Sequence, residues 1–279
     1  MAISSMGDGR PWTFYALATL FGAFLAFLYG PMLVIYVLSF QGPDGGVTFP
    51  MVGSSVGWFV DIFKPGQMAN IPVSFSRSMA LATVVSLATV AISVAAGLAF
   101  RRPFLGSGVV FYVAVASLVM PSLLVGFGIG LEFKFLGLEP SLFTSALAAQ
   151  LTWTLPFGLF TMFAVVNRFD RSWEEAASDL GASSWQRLRY VTLPILLPGI
   201  MGVATIAFTL SYDEYARTTL SIGSKNTLPL ELYALISSAT SPTLFAIGTL
   251  TTAISFLLIA VTLLIVLRTQ RRRGLIHVG

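Results

Sequence analysis

The chain contains no cysteine, a single histidine, and charged residues at only 10% of its 279 positions. Without cysteine there is neither a disulfide nor a thiolate metal site. The lone histidine, His277, stands near the end of the sequence. It reads as a tail residue rather than a triad base or a metal ligand, both of which need companions that are missing. Soluble domains carry about 25% charged residues, so the scarcity of charge argues against one. No Gly-x-x-x-x-Gly-Lys-Ser/Thr phosphate loop occurs, and ATP is therefore not bound through that device. Gly126, Gly128 and Gly130 form a glycine-rich stretch, but inside an apolar run, where small residues serve close packing.

Hydrophobic residues make up 56% of the sequence. They fall into six runs, at about 14–38, 78–100, 107–131, 143–166, 195–210 and 244–267, each near the roughly 20 residues that span a bilayer as a helix. Lipid offers no partner for backbone N–H and C=O groups, so the expected fold class is an all-α membrane protein with six transmembrane helices. Pro31, Pro121 and Pro156 lie inside runs and are read as tolerated there. The first run is longer than the roughly 7–15 apolar residues of a signal peptide and is read as an uncleaved span. One transmembrane domain over residues 1–279 is expected.

Basic residues are asymmetric about these runs. Eleven of the 16 (Arg10, Arg101, Arg102, Arg168, Arg171, Arg187, Arg189, Arg268, Arg271, Arg272 and Arg273) fall on one side. The five on the other are Lys64, Arg77, Lys134, Arg217 and Lys225. By the positive-inside rule both termini and the loop 168–194 are expected in the cytoplasm. The net charge of +4 thus reports topology rather than nucleic-acid binding. Outside the spans, Gln41–Val73 is rich in Gly and Pro. Within it, Ser54 and Ser55 precede a short amphipathic stretch that carries Trp58, Phe59, Ile62 and Phe63.

The longest polar interval of the second half runs from Asp170 to Pro198. Its residues predict a short helix over 173–180 with Glu174 and Glu175 at the favourable positive end of the dipole. Gly181 is placed to end that helix in the left-handed conformation. Ser183 or Ser184 is placed to cap a second short helix that carries Trp185, Leu188 and Tyr190.

Within this interval Glu175-Ala176-Ala177 is followed after three residues by Gly181, and after nine more by Val191-Thr192-Leu193-Pro194. This resembles the EAA signature loop of binding-protein-dependent ABC importer permeases, with Val191 standing where the family has Ile. The resemblance implies the type I importer fold in a bacterial inner membrane, with six spans and cytoplasmic termini. It implies that Glu174, Glu175, Ala176, Ala177, Asp179, Gly181, Leu193 and Pro194 form the coupling loop for a separate ATPase. The implied partners are two ATPase subunits, a second related permease subunit and a periplasmic solute-binding protein. ATP and Mg would sit on the ATPase, with no cofactor on this chain and no catalysis by it. The stretch Leu38–Gly46 resembles the corresponding exit of polyamine- and iron-type permeases, and Ala207–Tyr233 closely resembles the spermidine/putrescine branch, which makes a polyamine the expected cargo. Opines, amino-acid derivatives, aminophosphonates and ferric ion are the alternatives within the same class.

Asp213 and Glu214 lie 19 and 20 residues beyond Pro194, about 28 Å along a continuous helix. Acidic groups at membrane depth are costly and usually functional. They are candidates to steer a cationic amine, with Tyr212 and Tyr215 beside them read either as cation–π faces or, in preference, as interface aromatics. The competing readings are pairing with Arg217 and contact with a partner subunit. A channel or membrane enzyme is the reading from another class, but an enzyme needs an ionisable cluster in the bilayer, and the spans offer little beyond this acidic pair.

Overall fold

A computed structural model describes residues 11–64, 71–102, 104–238 and 241–272. Arg10, Arg273 and His277 lie outside the described residues. The chain divides into two compact units, residues 1–64 with 239–252 and residues 65–238 with 253–279.

In the first unit, helix α1 spans Trp12–Leu38 and keeps Pro31 inside it. Nearly all of α1 is exposed, as an apolar helix against lipid must be. The loop that follows is folded around Gln41, which is fully buried. Its side-chain amide donates to the carbonyl of Gly46 (2.8 Å) and accepts from the Val52 N–H (2.9 Å). Its own carbonyl accepts from the Trp58 indole at 2.6 Å. A short helix α2, Gly57–Asp61, follows, with the Ser55 hydroxyl accepting from the Gly57 N–H at 2.9 Å.

The second unit is built on α3 (Ile71–Ala99), α6 (Ser145–Asn167) and α9 (Leu193–Tyr212). Along α3 the buried positions include Ser74, Ser78, Ala82, Ser86, Thr89, Ser93 and Gly97, a stripe of small residues three or four apart. Small side chains let helices approach closely, and hydroxyls add bonds across the seam. Thr89 and Thr154 hydroxyls meet at 2.7 Å, and Ser86 donates to the Ala204 carbonyl at 2.8 Å. Gly158 faces Thr89 and Ser93. Met162, Val166, Leu196 and Val203 fill the α6–α9 contact, while Leu81, Val85, Leu142, Ala146, Ile222 and Leu230 form a second cluster.

The run at 107–131 is not one straight span. It forms α4 (Ser107–Val119) and α5 (Ser122–Phe135), bent by 111°. The residue before a proline is pushed out of the α region, and Met120 accordingly adopts φ −70°, ψ 136°. The described residues thus contain five helices long and apolar enough to cross a membrane, or six if the bent pair counts as one. Pro156 and Pro198, by contrast, stay inside α6 and α9.

Two short helices, α7 (Ser172–Asp179) and α8 (Ser184–Arg187), and a π-helical turn (Leu188–Thr192) lead into α9. After α9, the interval between the last two apolar runs contains a helix of its own, α10 (Leu228–Ser238). Its first N–H donates to the Ser78 hydroxyl of α3 at 2.8 Å, which satisfies one of the donors that a helix start leaves without an intrahelical partner. The last helix, α11, is Pro242–Arg272.

Candidate functional site

The polar interval 170–194 folds as two capped helices joined by a tight turn. The Asp170 carboxylate accepts from the Ser172 N–H at 2.9 Å at the start of α7. That bond and the Ser172 hydroxyl hold the carboxyl below its ordinary range. At the other end the Gly181 N–H donates to Ser178 O (2.9 Å) and the Ala182 N–H to Ala177 O (3.0 Å), with Gly181 at φ +81°. This pair of bonds is a Schellman closure, which needs a residue tolerant of the left-handed region. Ser183 then opens α8 with a reciprocal capping box: its hydroxyl accepts from the Gln186 N–H (3.3 Å), and the Gln186 side chain accepts from the Ser183 N–H (2.8 Å).

Glu174 turns inward. Its two carboxylate oxygens receive the Arg101 guanidinium in a fork at 2.9 and 3.0 Å. The buried Thr192 hydroxyl donates to the same carboxylate at 2.6 Å. Arg171 donates to the Arg101 carbonyl at 2.7 Å, and Phe169 lies against the Arg101 guanidinium at 5.0 Å. The loop is thus tied to the chain just after α3 and to the start of α9 by one carboxylate. The Arg101 bond is the chief reason that the Glu174 carboxyl titrates below its ordinary range, with the Thr192 bond acting in the same direction and burial against it.

Glu175, Ala176 and Asp179 face outward, Ala177 is half-buried, and Pro194 lies in the first turn of α9 with Leu193. Large apolar side chains project from the same loop: Trp173, Leu180, Trp185 and Tyr190 are all exposed, Leu180 at 90%. A cleft of about 370 Å³ lies between the end of α3 and the loop, lined by Arg101, Arg102, Arg171, Arg187, Glu174 and Glu175.

The residues expected to flank a transport path lie at the far end of α9, about 30 Å away at 1.5 Å per residue. They do not form one cluster of open side chains. Tyr212 is buried and packs against Phe75 and Phe208. Tyr215 packs on the core and on Tyr233, with ring centres 4.8 Å apart. Glu214 bends back to accept from the backbone N–H of Arg217 at 2.7 Å. Asp213 is exposed, and no cation among the described residues lies within ion-pair distance of it.

Arg217, read from the sequence as an outer basic residue, is fully buried. Its guanidinium donates to the Thr152 hydroxyl and to the Ser117 carbonyl (2.8 Å), and it lies 5.0 Å from the Trp153 ring. The only sequence hint was a charged residue beside a long apolar run.

Several helices long and apolar enough to cross a membrane, with a polar loop braced against two of them, define a multi-pass membrane protein. The family model of the binding-protein-dependent transport system inner membrane component matches residues 88–273, and the chain belongs to that family. It is a permease subunit of the ABC importer class and is not itself catalytic. It is 28% identical over 244 residues to the spermidine/putrescine transport system permease protein PotC of Escherichia coli K12, covering 87% of this chain and 90% of that one. The putrescine transport system permease protein PotI of the same organism is 28% identical over 241 residues, covering 80% and 81%. Among solved structures, a bacterial ABC transporter involved in the import of the acidic polysaccharide alginate aligns over 92% of this chain and 96% of that one, at 16% identity and a TM-score of 0.67. That likeness bears on the fold.

Proposed function

We propose that the chain conducts a polyamine-class cation across a bacterial inner membrane, driven by an ATPase docked on the loop 168–194. The likeness to spermidine/putrescine and putrescine permeases over most of the chain supports the cargo. The single local observation behind it is Asp213, an exposed carboxylate at the end of α9 with no cation among the described residues within ion-pair distance. A carboxylate there attracts an ammonium group without holding it permanently. Glu214, Tyr212 and Tyr215 support the surrounding backbone and packing rather than meeting the cargo.

Docking is assigned to the outward side of α7 and α8. Trp173, Leu180 and Trp185 offer an apolar contact, and Glu175, Ala176, Ala177, Asp179 and Gly181 give it shape and charge. Glu174, Leu193 and Pro194 transmit the motion inward. Two ATPase subunits, a second related permease and a periplasmic binding protein complete the assembly, with both termini on the ATPase side as the eleven basic residues favour. ATP and Mg belong to the ATPase.

Two measurements test this. Leu180→Arg leaves the backbone unstrained and is expected to abolish ATPase co-purification; normal binding-protein-stimulated turnover in that variant would overturn the docking surface. Asp213→Asn is expected to raise the KM for radiolabelled putrescine about tenfold, the loss of one ionic contact of about 1.4 kcal/mol. An unchanged KM, or a cognate binding protein that retains only a sugar or an anion, would overturn the cargo.

A further inference from the structure

Arg217 is the only charged side chain in the buried set among the described residues, and no carboxylate lies within ion-pair distance of its guanidinium there. Burying a cation is costly unless hydrogen bonds and nearby polarisable groups replace water. Its partners are informative. Its Nη2 donates to the Ser117 carbonyl at 2.8 Å. In an unbroken helix that carbonyl would accept from the N–H of residue 121, but residue 121 is proline and has none. The guanidinium therefore supplies the donor that the α4–α5 break removes. Its other terminal nitrogen donates to Thr152 of α6. The backbone around it is drawn equally close to α5: a Cβ at Gly126 would come within 2.2 Å of the Arg217 carbonyl, and one at Gly130 within 2.3 Å of the Leu220 carbonyl.

The segment that carries Arg217 continues directly from α9, whose opposite end is gripped through Thr192 by Glu174. Gln150 fastens the near end, donating to the Thr218 hydroxyl at 2.8 Å and accepting from Ser211. α9 is therefore a rod held at both ends, by the charge-assisted bonds of Glu174 at one and by the neutral bonds of Gln150 at the other, with Arg217 just beyond.

We infer that Arg217 is a positioning residue for transport: it passes displacement of the loop 168–194, carried by α9, to the elbow between α4 and α5. This rests on the coupling role proposed for that loop, and it adds which part of the bundle the loop moves. The elbow is the moving part because its backbone bonds are already broken at Met120–Pro121, whereas α3 and α6 are continuous.

The test uses the full transporter in liposomes, with Arg217→Gln and Arg217→Lys. The chain has no cysteine, so Leu105→Cys and Leu124→Cys, at exposed positions on either side of the elbow, accept a unique pair of spin labels once the partner subunits are made cysteine-free. Wild type is expected to change the label separation on ATP binding. Arg217→Gln should lose that change and lower radiolabelled putrescine uptake about tenfold or more, within the range of coupling energies, while binding-protein-stimulated ATPase continues. Arg217→Lys keeps the charge but not the fork and should fall between; it is the reading to use if the glutamine variant does not assemble. A wild-type elbow that does not move overturns the inference. So does a variant elbow that moves as in wild type, or ATPase and uptake that decline in proportion. Wild type that moves its elbow but takes up no putrescine would sink the cargo reading alone, and ATPase that fails to dock on wild type would sink the coupling reading.

Discussion

Removing the Glu174 carboxylate should loosen α7 without unfolding the bundle. Glu174→Ala deletes the fork to Arg101 and the bond from Thr192 at once. Hydrogen bonds to charged groups contribute about 1.5–3 kcal/mol when buried, and exposed ion pairs about 0–1 kcal/mol. The Arg101 and Glu174 side chains are 15% and 24% exposed, so the clamp falls between these limits, at about 2 kcal/mol for the set. That energy corresponds to about a 30-fold rise in the population of the detached loop. Hydrogen exchange of the peptide 172–182 in lipid nanodiscs reads it directly, because local opening sets amide protection. Glu175→Ala, at an exposed position, is the control and should leave protection unchanged. The pH dependence follows from the same contacts. The Arg101 bond leads in holding the Glu174 carboxyl below its ordinary value of 4.5. A lowered carboxylate pKa means that the contribution is complete above that ordinary value and disappears as pH falls through the lowered one. Protection factors, which divide out the intrinsic pH effect, should therefore fall below about pH 4.5 more steeply in wild type than in Glu174→Gln, which keeps only the contribution of Asp170 at the start of α7. Equal protection of α7 in Glu174→Ala and wild type would refute the clamp.

Gly181→Ala should cost about 1 kcal/mol at the α7 terminus, since φ +81° is unfavourable for any residue with a Cβ although space is open around it; a several-fold loss of protection in residues 178–182 checks this. On α5, Gly126→Ala meets a backbone carbonyl at 2.2 Å, whereas Gly128→Ala meets nothing within 4 Å. The first should destabilise by about 1–3 kcal/mol or more, as overpacking does, and the second should be neutral within about 0.5 kcal/mol; thermal aggregation of the two purified variants separates them.

The loop 170–194 was largely open to sequence reasoning because its shape depends on neighbours within a few positions. Gly181 ends one helix and Ser183 starts the next through bonds spanning three to five residues. The inward turn of Glu174 was not readable, because Arg101 lies 73 positions away. Arg217 is the extreme case: Thr152 and Ser117 are 65 and 100 positions distant, and nothing local distinguishes a buried arginine from one at a membrane surface. Pro121 offered a local signal that Pro156 did not fulfil, since both stand in apolar runs and only tertiary packing decides which helix breaks. The helix at Leu228–Ser238 is too short to show as an apolar span, and its first N–H is satisfied by Ser78, 150 positions earlier.

The Schellman closure and the capping box sit back to back across only Gly181, Ala182 and Ser183. Their bonds are complete without any other part of the chain. The bend between α7 and α8 is therefore specified by residues close in sequence, without a contribution from the spans. Where the bent piece is then fastened is decided separately, by Glu174. Shape and address are written in different residues, so the piece is portable: grafted between two unrelated helices it should keep its bend, and it would take up a new position wherever an arginine was set to meet that one carboxylate.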